Sequence, residues 1–179
     1  DVAASGGYWL ACAADEIFAS KASIIGSIGV VSSGFGFDKA IDKIGIDRRL
    51  YTSGENKAIL DPFLPENKDD VKRLQDIQKE LHNQFISFVK SRRGSKISNK
   101  DKDLFTGAFW SGEKSLDLGL IDAFGEMKLT LKERFGEDIK IKEFAPKKKL
   151  FGFGNLFSGA LDILIYKIEE RISFKRFGL

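Results

Sequence analysis

Apolar residues along this chain follow two spacings, one typical of helices and the other typical of buried strands. Recurrence at steps of three and four residues predicts helices, whereas short β-branched runs bounded by glycine or polar residues predict strands. The predicted helices are Gly6–Ala14, Phe37–Ile44, Glu66–Ser91, a short one near Asn99–Phe105, Gly112–Leu118 and Glu126–Phe135. The predicted strands are Glu16–Ala19, Ile24–Val31, Asp47–Thr52, Leu120–Ala123 and Ile139–Phe144. Helices that alternate with short strands favour an α/β fold with a largely parallel sheet.

The longest helical pattern lies between residues 65 and 93 and forms a single apolar stripe. Its members are Val71, Leu74, Ile77, Leu81, Phe85 and Phe88. His82, the only histidine of the chain, falls beside this stripe, so we expect a solvated side chain. A catalytic Ser/His/Asp triad is therefore disfavoured, because His82 would have to be its base.

Composition favours one ordered domain core. The chain has 179 residues, of which 42% are hydrophobic and 31% charged, and this balance argues against disorder. Cys12 is the single cysteine, so it forms no internal disulfide, and its apolar neighbours indicate a core position rather than a catalytic one. No apolar run approaches the roughly 18 residues that a membrane-spanning helix requires.

The C-terminal segment 147–179 differs from the preceding part, 1–146, in its charge. It carries seven Lys or Arg residues and three acidic residues, and its apolar residues recur with helical spacing. We therefore predict a basic amphipathic tail that follows the main domain. Such a tail suits an anionic membrane surface, but a helix docked on its own domain or on a neighbouring subunit fits somewhat better. No motif for nucleic-acid binding accompanies the basic residues, so no nucleic-acid partner is predicted.

The motif Ala4-Ser5-Gly6-Gly7-Tyr8 predicts a tight turn that leads into a short buried helix. A hydroxyl at this point would lie beside amides that lack partners within the helix, and such amides can stabilise an oxyanion. The two glycines would leave room for a peptide backbone to approach the serine. Small-residue turns before helices are common, so the motif alone leaves a purely structural Ser5 open.

Lysine is the base that remains available to activate such a serine. Lys57 ends the motif Ser53-Gly54-Glu55-Asn56-Lys57 and precedes a mostly apolar stretch, 58–64, that could remove its amine from water. An ordinary surface lysine in a strand-to-helix loop fits the same pattern. Ser27 interrupts the run Ile24–Val31 and would place a second hydroxyl near the site. A strand bulge with a hydrogen-bonded serine fits the same pattern.

The order of ASGGYWLACAADEI, IIGSIGVV, YTSGENK and SGEKSLDLGLIDAFG closely resembles the signal peptide peptidase A family, with the SohB-like branch nearest. The resemblance covers residues 1 to about 146. It implies that Ser5 is the nucleophile, that Lys57 is the general base and that Ser27 holds this lysine. The amide of Gly6 is implied as one oxyanion donor. No cofactor or metal is expected.

The resemblance also implies a ClpP/crotonase-like fold and a serine endopeptidase that cuts released signal peptides or other apolar, membrane-associated peptides. Its partners would be a peptide substrate and further copies of itself, because family members assemble into rings or domes in which neighbours shape the site. The resemblance further implies a location at the bacterial inner membrane. A membrane surface is a possible partner, and an anchor is expected upstream of Asp1.

The chain opens at Asp1, almost at Ser5, whereas family members carry an upstream half-domain that supplies strands and a second oxyanion donor. We therefore expect this piece to lack the N-terminal strands of the fold. We also expect it to be inactive by itself. Two other functions stay open. An acyl-CoA enzyme of crotonase type has no need of Lys57, and a non-catalytic membrane scaffold would keep the fold without the chemistry.

Overall fold

The computed structural model describes residues 1–98, 101–142 and 144, and the chain divides into two units, Asp1–Ile139 and Lys140–Leu179. The described strands of the first unit are β1 (Val2–Ala4), β2 (Phe18–Ala19), β3 (Ile24–Gly26), β4 (Phe109–Ser111) and β5 (Ala123–Phe124). Its described α-helices are α1 (Gly6–Ala11), α2 (Asp38–Lys43), α3 (Lys68–Arg93), α4 (Gly112–Asp117) and α5 (Met127–Phe135). In the second unit the described residues, 140–142 and 144, are irregular, and the tail predicted over 147–179 lies outside the described residues.

The strands form two small sheets. In the first, β3 lies between β1, which runs parallel to it, and β4, which runs antiparallel. In the second, β2 and β5 are parallel. The α/β class predicted from the sequence is therefore confirmed, in smaller sheets than expected and with β4 as an unpredicted antiparallel strand.

Several predicted elements differ from the observed ones. Asp47–Thr52 is irregular, because a strand needs a neighbour for its backbone hydrogen bonds and the described residues offer this segment none. The run predicted to continue to Val31 leaves the sheet after Gly26, where two successive residues have positive φ. The described residues of Ile139–Phe144 form no strand, and those of Asn99–Phe105 form turns rather than a helix.

One buried apolar cluster joins α1, α3 and the strands. Its members are Tyr8, Cys12, Ile17, Ala19, Ile25, Ile28, Phe85, Val89, Leu104, Leu118, Leu120 and Ile121. The ring of Trp9 stacks on that of Phe85 with centroids 4.5 Å apart, and the Tyr8 hydroxyl donates to the Leu120 carbonyl at 2.8 Å. Burial raises the pKa of the Cys12 thiol, which agrees with its prediction as a core residue.

The long helix predicted over Glu66–Ser91 is confirmed, but α3 begins and ends two residues later. The Asn67 side chain accepts a hydrogen bond from the Asp69 amide at 2.8 Å, and the helix ends at Gly94, whose φ is 48°. Its C-terminal half buries Phe85 and Val89. Ile77 and Leu81, in the middle of the predicted stripe, are 48% and 40% exposed. The apolar stripe is therefore covered along only part of its length. Among the helices of the described part, none is long and apolar enough to cross a membrane.

Candidate active site

Ser5 lies at the junction between β1 and α1 in a strained backbone conformation, with φ 53° and ψ −123°. Few residues other than glycine adopt positive φ, and such strain concentrates at functional sites. The Ser5 amide donates to the Gly26 carbonyl at 2.8 Å, and its carbonyl accepts from the amides of Tyr8 and Trp9 at 3.0 Å each. The side chain makes no capping hydrogen bond to α1 and the residue is exposed. The Ser5 backbone is therefore held in place, and its exposed side chain is left accessible to a substrate.

The space beside this hydroxyl is open. A Cβ atom added to Gly6 or to Gly7 would meet nothing within 4 Å. Both glycines belong to the first turn of α1, where amides have no acceptor within the helix. An extended peptide backbone could approach Ser5 from this side with its carbonyl oxygen near the Gly6 amide.

Ser27 follows β3 as Ser5 follows β1. These two strands are parallel neighbours, with Ala4 opposite Gly26, so both serines leave the sheet at the same edge. Ser27 is half-buried and has φ 52°. Gly26 before it has φ 106°, and a side chain there would lie 2.9 Å from the indole of Trp110, so only glycine fits. The structure thus brings Ser5, Gly6 and Ser27 together.

Lys57 lies elsewhere, in the turn 53–60. Its amide donates to the Gly54 carbonyl at 3.2 Å, its side chain is exposed, and among the described residues it forms no side-chain hydrogen bond or ion pair. The apolar stretch after it does not remove the amine from water, since none of residues 58–64 is itself buried. The described contacts therefore do not join Lys57 to Ser5 or Ser27.

The loop that carries Lys57, residues 53–64, contacts α3 and the residues on either side of α2 instead: the Leu60 amide donates to the Asp70 carboxylate at 3.4 Å. Arg48 donates to the Asp61 carboxylate at 2.9 and 3.1 Å, and this hydrogen bond lowers the pKa of Asp61. The ring of Phe37 stacks on Phe63 at 5.6 Å. Between this loop, segment 32–38 and α3 lies a groove of about 1070 Å³, lined by a mixture of polar and apolar side chains and several carboxylates. Ser5 does not line this groove.

His82 differs from its prediction as a solvated residue. It is half-buried, and its Nε2 atom lies 3.0 Å from the Ile28 carbonyl oxygen. A carbonyl only accepts hydrogen bonds, so Nε2 carries the hydrogen. The contact joins residues 54 positions apart, a separation at which helical periodicity carries no signal.

A second interaction that the sequence analysis missed lies at the far end of α3. Arg93 donates to the Asp122 carboxylate at 2.7 Å and Lys96 donates to it at 2.6 Å. The Ile17 amide also donates to Asp122, at 2.8 Å. Burial by itself would raise the pKa of Asp122, but these three hydrogen bonds hold it well below its usual range. This network supports the core rather than the chemistry.

Comparison with known proteins assigns the chain to a class. The model of peptidase family S49 matches residues 1–137, most of the chain. The chain belongs to peptidase family S49, a family of serine peptidases. This confirms the resemblance drawn from the sequence motifs.

Individual relatives agree with that family. A protein of Buchnera aphidicola subsp. Acyrthosiphon pisum named "Probable protease SohB" is 35% identical over 93% of this chain and 51% of its own length. A protein of Enterococcus faecium provisionally named signal peptide peptidase SppA is 29% identical over 89% of this chain and 46% of its own. A Brucella abortus protein named Na(+)/H(+) antiporter NhaA is 45% identical over the whole of this chain, which covers 26% of that protein. The chain thus spans about a quarter to a half of these relatives.

Proposed function

We propose that this chain carries the catalytic centre of a serine endopeptidase that works through a Ser5–Lys57 dyad. The observation that carries the proposal is the geometry of Ser5. Its positive φ turns an uncapped, exposed hydroxyl outward between a sheet edge and an open glycine pair. Nucleophiles at strand-to-helix turns use the same kind of strained backbone. Membership of a peptidase family gives this geometry its chemical meaning.

The proposed reaction begins when Ser5 Oγ attacks the carbonyl carbon of the scissile peptide bond and the neutral Lys57 amine takes the hydroxyl proton. The Gly6 amide donates to the oxyanion that forms. The tetrahedral intermediate then breaks its C–N bond, and the Lys57 ammonium gives its proton to the departing amine. Water attacks the resulting ester as Lys57 removes a proton from it. The ester bond breaks, and Ser5 recovers the proton.

The dyad requires a change in the surroundings of Lys57. A lysine acts as a base only in its neutral form, and removal from water favours that form. In the single chain the side chain of Lys57 is exposed, and none of residues 30–84 is buried. Large apolar side chains of this segment, among them Phe35, Ile44 and Tyr51, face solvent. We propose that association of copies covers the segment and brings a Lys57 amine to each Ser5, with Ser27 holding it.

The proposed substrates are apolar peptides associated with membranes, released signal peptides among them. Support comes from the exposed apolar side chains around the Lys57 loop and from the name of the Enterococcus relative. Action on such peptides would take place at the bacterial inner membrane. The ClpP/crotonase-like fold remains a prediction, consistent with the parallel pairing of β1 and β3 and with the family.

The test compares Ser5→Ala and Lys57→Ala in the intact protein, with Ser95→Ala and Lys39→Ala as controls on exposed residues. We expect each dyad variant to lose hydrolysis of an apolar peptide by at least about 10³-fold, while the controls retain it. A serine-reactive fluorophosphonate should label the wild type and not Ser5→Ala. More than a tenth of wild-type turnover in either dyad variant would contradict the dyad.

The same variants test the two other functions and the assembly. Hydrolysis of an acyl-CoA thioester that survives Lys57→Ala would favour the crotonase-type enzyme, and absence of labelling in the wild type would favour the scaffold. Mixing Ser5→Ala with Lys57→Ala should restore activity if one copy supplies the serine and another the lysine. No restoration would place both groups in one chain.

A further inference from the structure

We propose that His82 is a positioning residue for the catalytic serines: through its hydrogen bond to the Ile28 carbonyl it holds the turn that carries Ser27. The inference rests on the proposed function of Ser5, Ser27 and Lys57. His82 touches neither substrate nor nucleophile. It acts on the backbone one residue beyond Ser27, on the side that α3 covers.

The turn at Ser27 is held by hydrogen bonds on both sides of the serine. The Ser27 amide donates to the Ala108 carbonyl at 2.7 Å, and the Gly29 amide donates to the Ser27 carbonyl at 2.9 Å. The Ile28 side chain is completely buried, while its carbonyl receives the His82 hydrogen bond at 3.0 Å. A serine held at positive φ needs this amount of support, because the strained conformation persists only where the surroundings impose it.

The turn also lacks space to move away from α3. Segment 106–108 lies against its other side, where a Cβ atom added to Gly29 would come within 3.0 Å of the Gly107 Cα. The turn is therefore clamped between this segment and His82. Without the imidazole N–H, the buried Ile28 carbonyl loses its hydrogen-bond partner, and the turn loses its hold on the helix side.

The same helix also supports the element that carries Ser5. Phe85 stacks on Trp9 of α1, and Arg92 donates to the Cys12 carbonyl at 2.9 Å beyond the end of that helix. Residues 82, 85 and 92 are separated by three and seven positions and so share one face of α3. A single rigid helix thus contacts both the Ser5 helix and the Ser27 turn, and His82 is its contact to the turn.

The experiment replaces the donor and then restores it. His82→Leu removes the N–H, His82→Gln presents an amide N–H at similar reach, and Asn83→Leu changes an exposed neighbour on the same helix as a control. We expect His82→Leu to lower kcat about 10-fold or more with KM changed less than about 2-fold, as for a lost positioning contact. His82→Gln should recover most of kcat, and Asn83→Leu should match the wild type. Circular dichroism melting would confirm that the assayed protein is folded.

Two readouts separate this inference from the proposed function. Ser5→Ala at wild-type turnover would overturn the proposed function. Wild-type kcat in His82→Leu, or a loss that His82→Gln does not repair, would overturn the role of His82 while Ser5→Ala stays inactive. Hydrogen exchange of the Gly29 amide reports on the turn without any activity. It should be faster in His82→Leu and unchanged in Asn83→Leu, and equal protection in the wild type and His82→Leu would contradict the inference.

Discussion

The two groups proposed to form the dyad lie in regions that are built in opposite ways. Ser5 and Ser27 leave adjacent strands above a buried cluster, and their backbones are held by hydrogen bonds to Gly26 and Ala108. Lys57 lies within residues 30–84, of which none is buried, although this stretch is rich in Phe, Ile and Leu. Both regions are therefore rich in apolar side chains, but only in the first are those side chains buried by other parts of the chain. In the proposed mechanism, the fold of one chain holds the nucleophile, and the base needs a partner surface to cover it.

Two ion pairs show the same contrast. Arg93 is 2% exposed and meets Asp122 beneath α3, with Lys96 on the second carboxylate oxygen. Arg48 is 41% exposed and meets Asp61 on the Lys57 loop. Both arginine–carboxylate pairs have short distances and little-exposed carboxylates, 13% for Asp122 and 8% for Asp61, but only the second arginine reaches water. The free energy lost when such a pair is broken depends more on the burial of its charges than on the distance between them.

The largest expected effect comes from Asp122→Asn. The substitution leaves Arg93 buried beside an uncharged amide, and losing one partner of such a pair costs about 3–5 kcal/mol of the free energy of unfolding. Asp61→Asn is the matched control and should change that free energy far less, because Arg48 can turn to water. Urea unfolding of both variants at neutral pH measures the difference. Equal losses would show that the two regions are stabilised alike.

The pH dependence of the free energy of unfolding provides a further test of the Asp122 network. The pKa of Asp122 is lowered in the folded chain, so its carboxylate stabilises the fold fully above the unfolded value of about 3.9. That contribution is lost as pH falls below this value toward the folded one. The wild type should therefore lose part of its advantage over Asp122→Asn as unfolding is measured from pH 6 down to pH 3, with the decline setting in near pH 4. A constant difference over that range would contradict the lowered pKa.

The sequence predicts the nucleophile region better than the base region, and the reason is physical. Turn glycines and a helix start are local signals, so the turn at Ser5 and Gly6 is readable from neighbouring residues, whereas the β-branched run predicts β3 but extends it five residues too far, to Val31. The contacts of Asp122 with Arg93 and of His82 with Ile28 join distant segments, and no local spacing encodes them. The apolar stripe predicts the helix α3 correctly. Periodicity does not show which residues of the stripe other elements will bury.

The second prediction compares two phenylalanines of these regions. Phe85 is buried and stacked on Trp9, whereas Phe35 is 81% exposed. Phe85→Leu removes the aromatic contact and leaves a poorly filled site, which should cost about 1–2 kcal/mol of the free energy of unfolding. Phe35→Leu should leave that free energy unchanged in dilute solution.

The same pair of variants tests the assembly. If copies cover the Lys57 region, Phe35→Leu should weaken self-association measured by sedimentation, while Phe85→Leu should not. Weaker association in Phe85→Leu alone would move the interface to the packed region and break the comparison.

The smallest expected effect belongs to Ser27→Ala. If the Ser27 hydroxyl orients the Lys57 amine, its removal should lower kcat on the order of 10-fold, which equals about 1.4 kcal/mol in the activation barrier. The fold should be retained, because the Ser27 contacts to Ala108 and Gly29 use the backbone alone and alanine keeps them. Ser23→Ala is a demanding control. Ser23 is a buried serine just before β3 whose hydroxyl serves the Ser20 amide, so this change should affect stability rather than kcat. Unchanged kinetics in Ser27→Ala would mean that Ser27 does not orient the Lys57 amine. The strained turn at Ser27 would then have only a structural role at the end of β3.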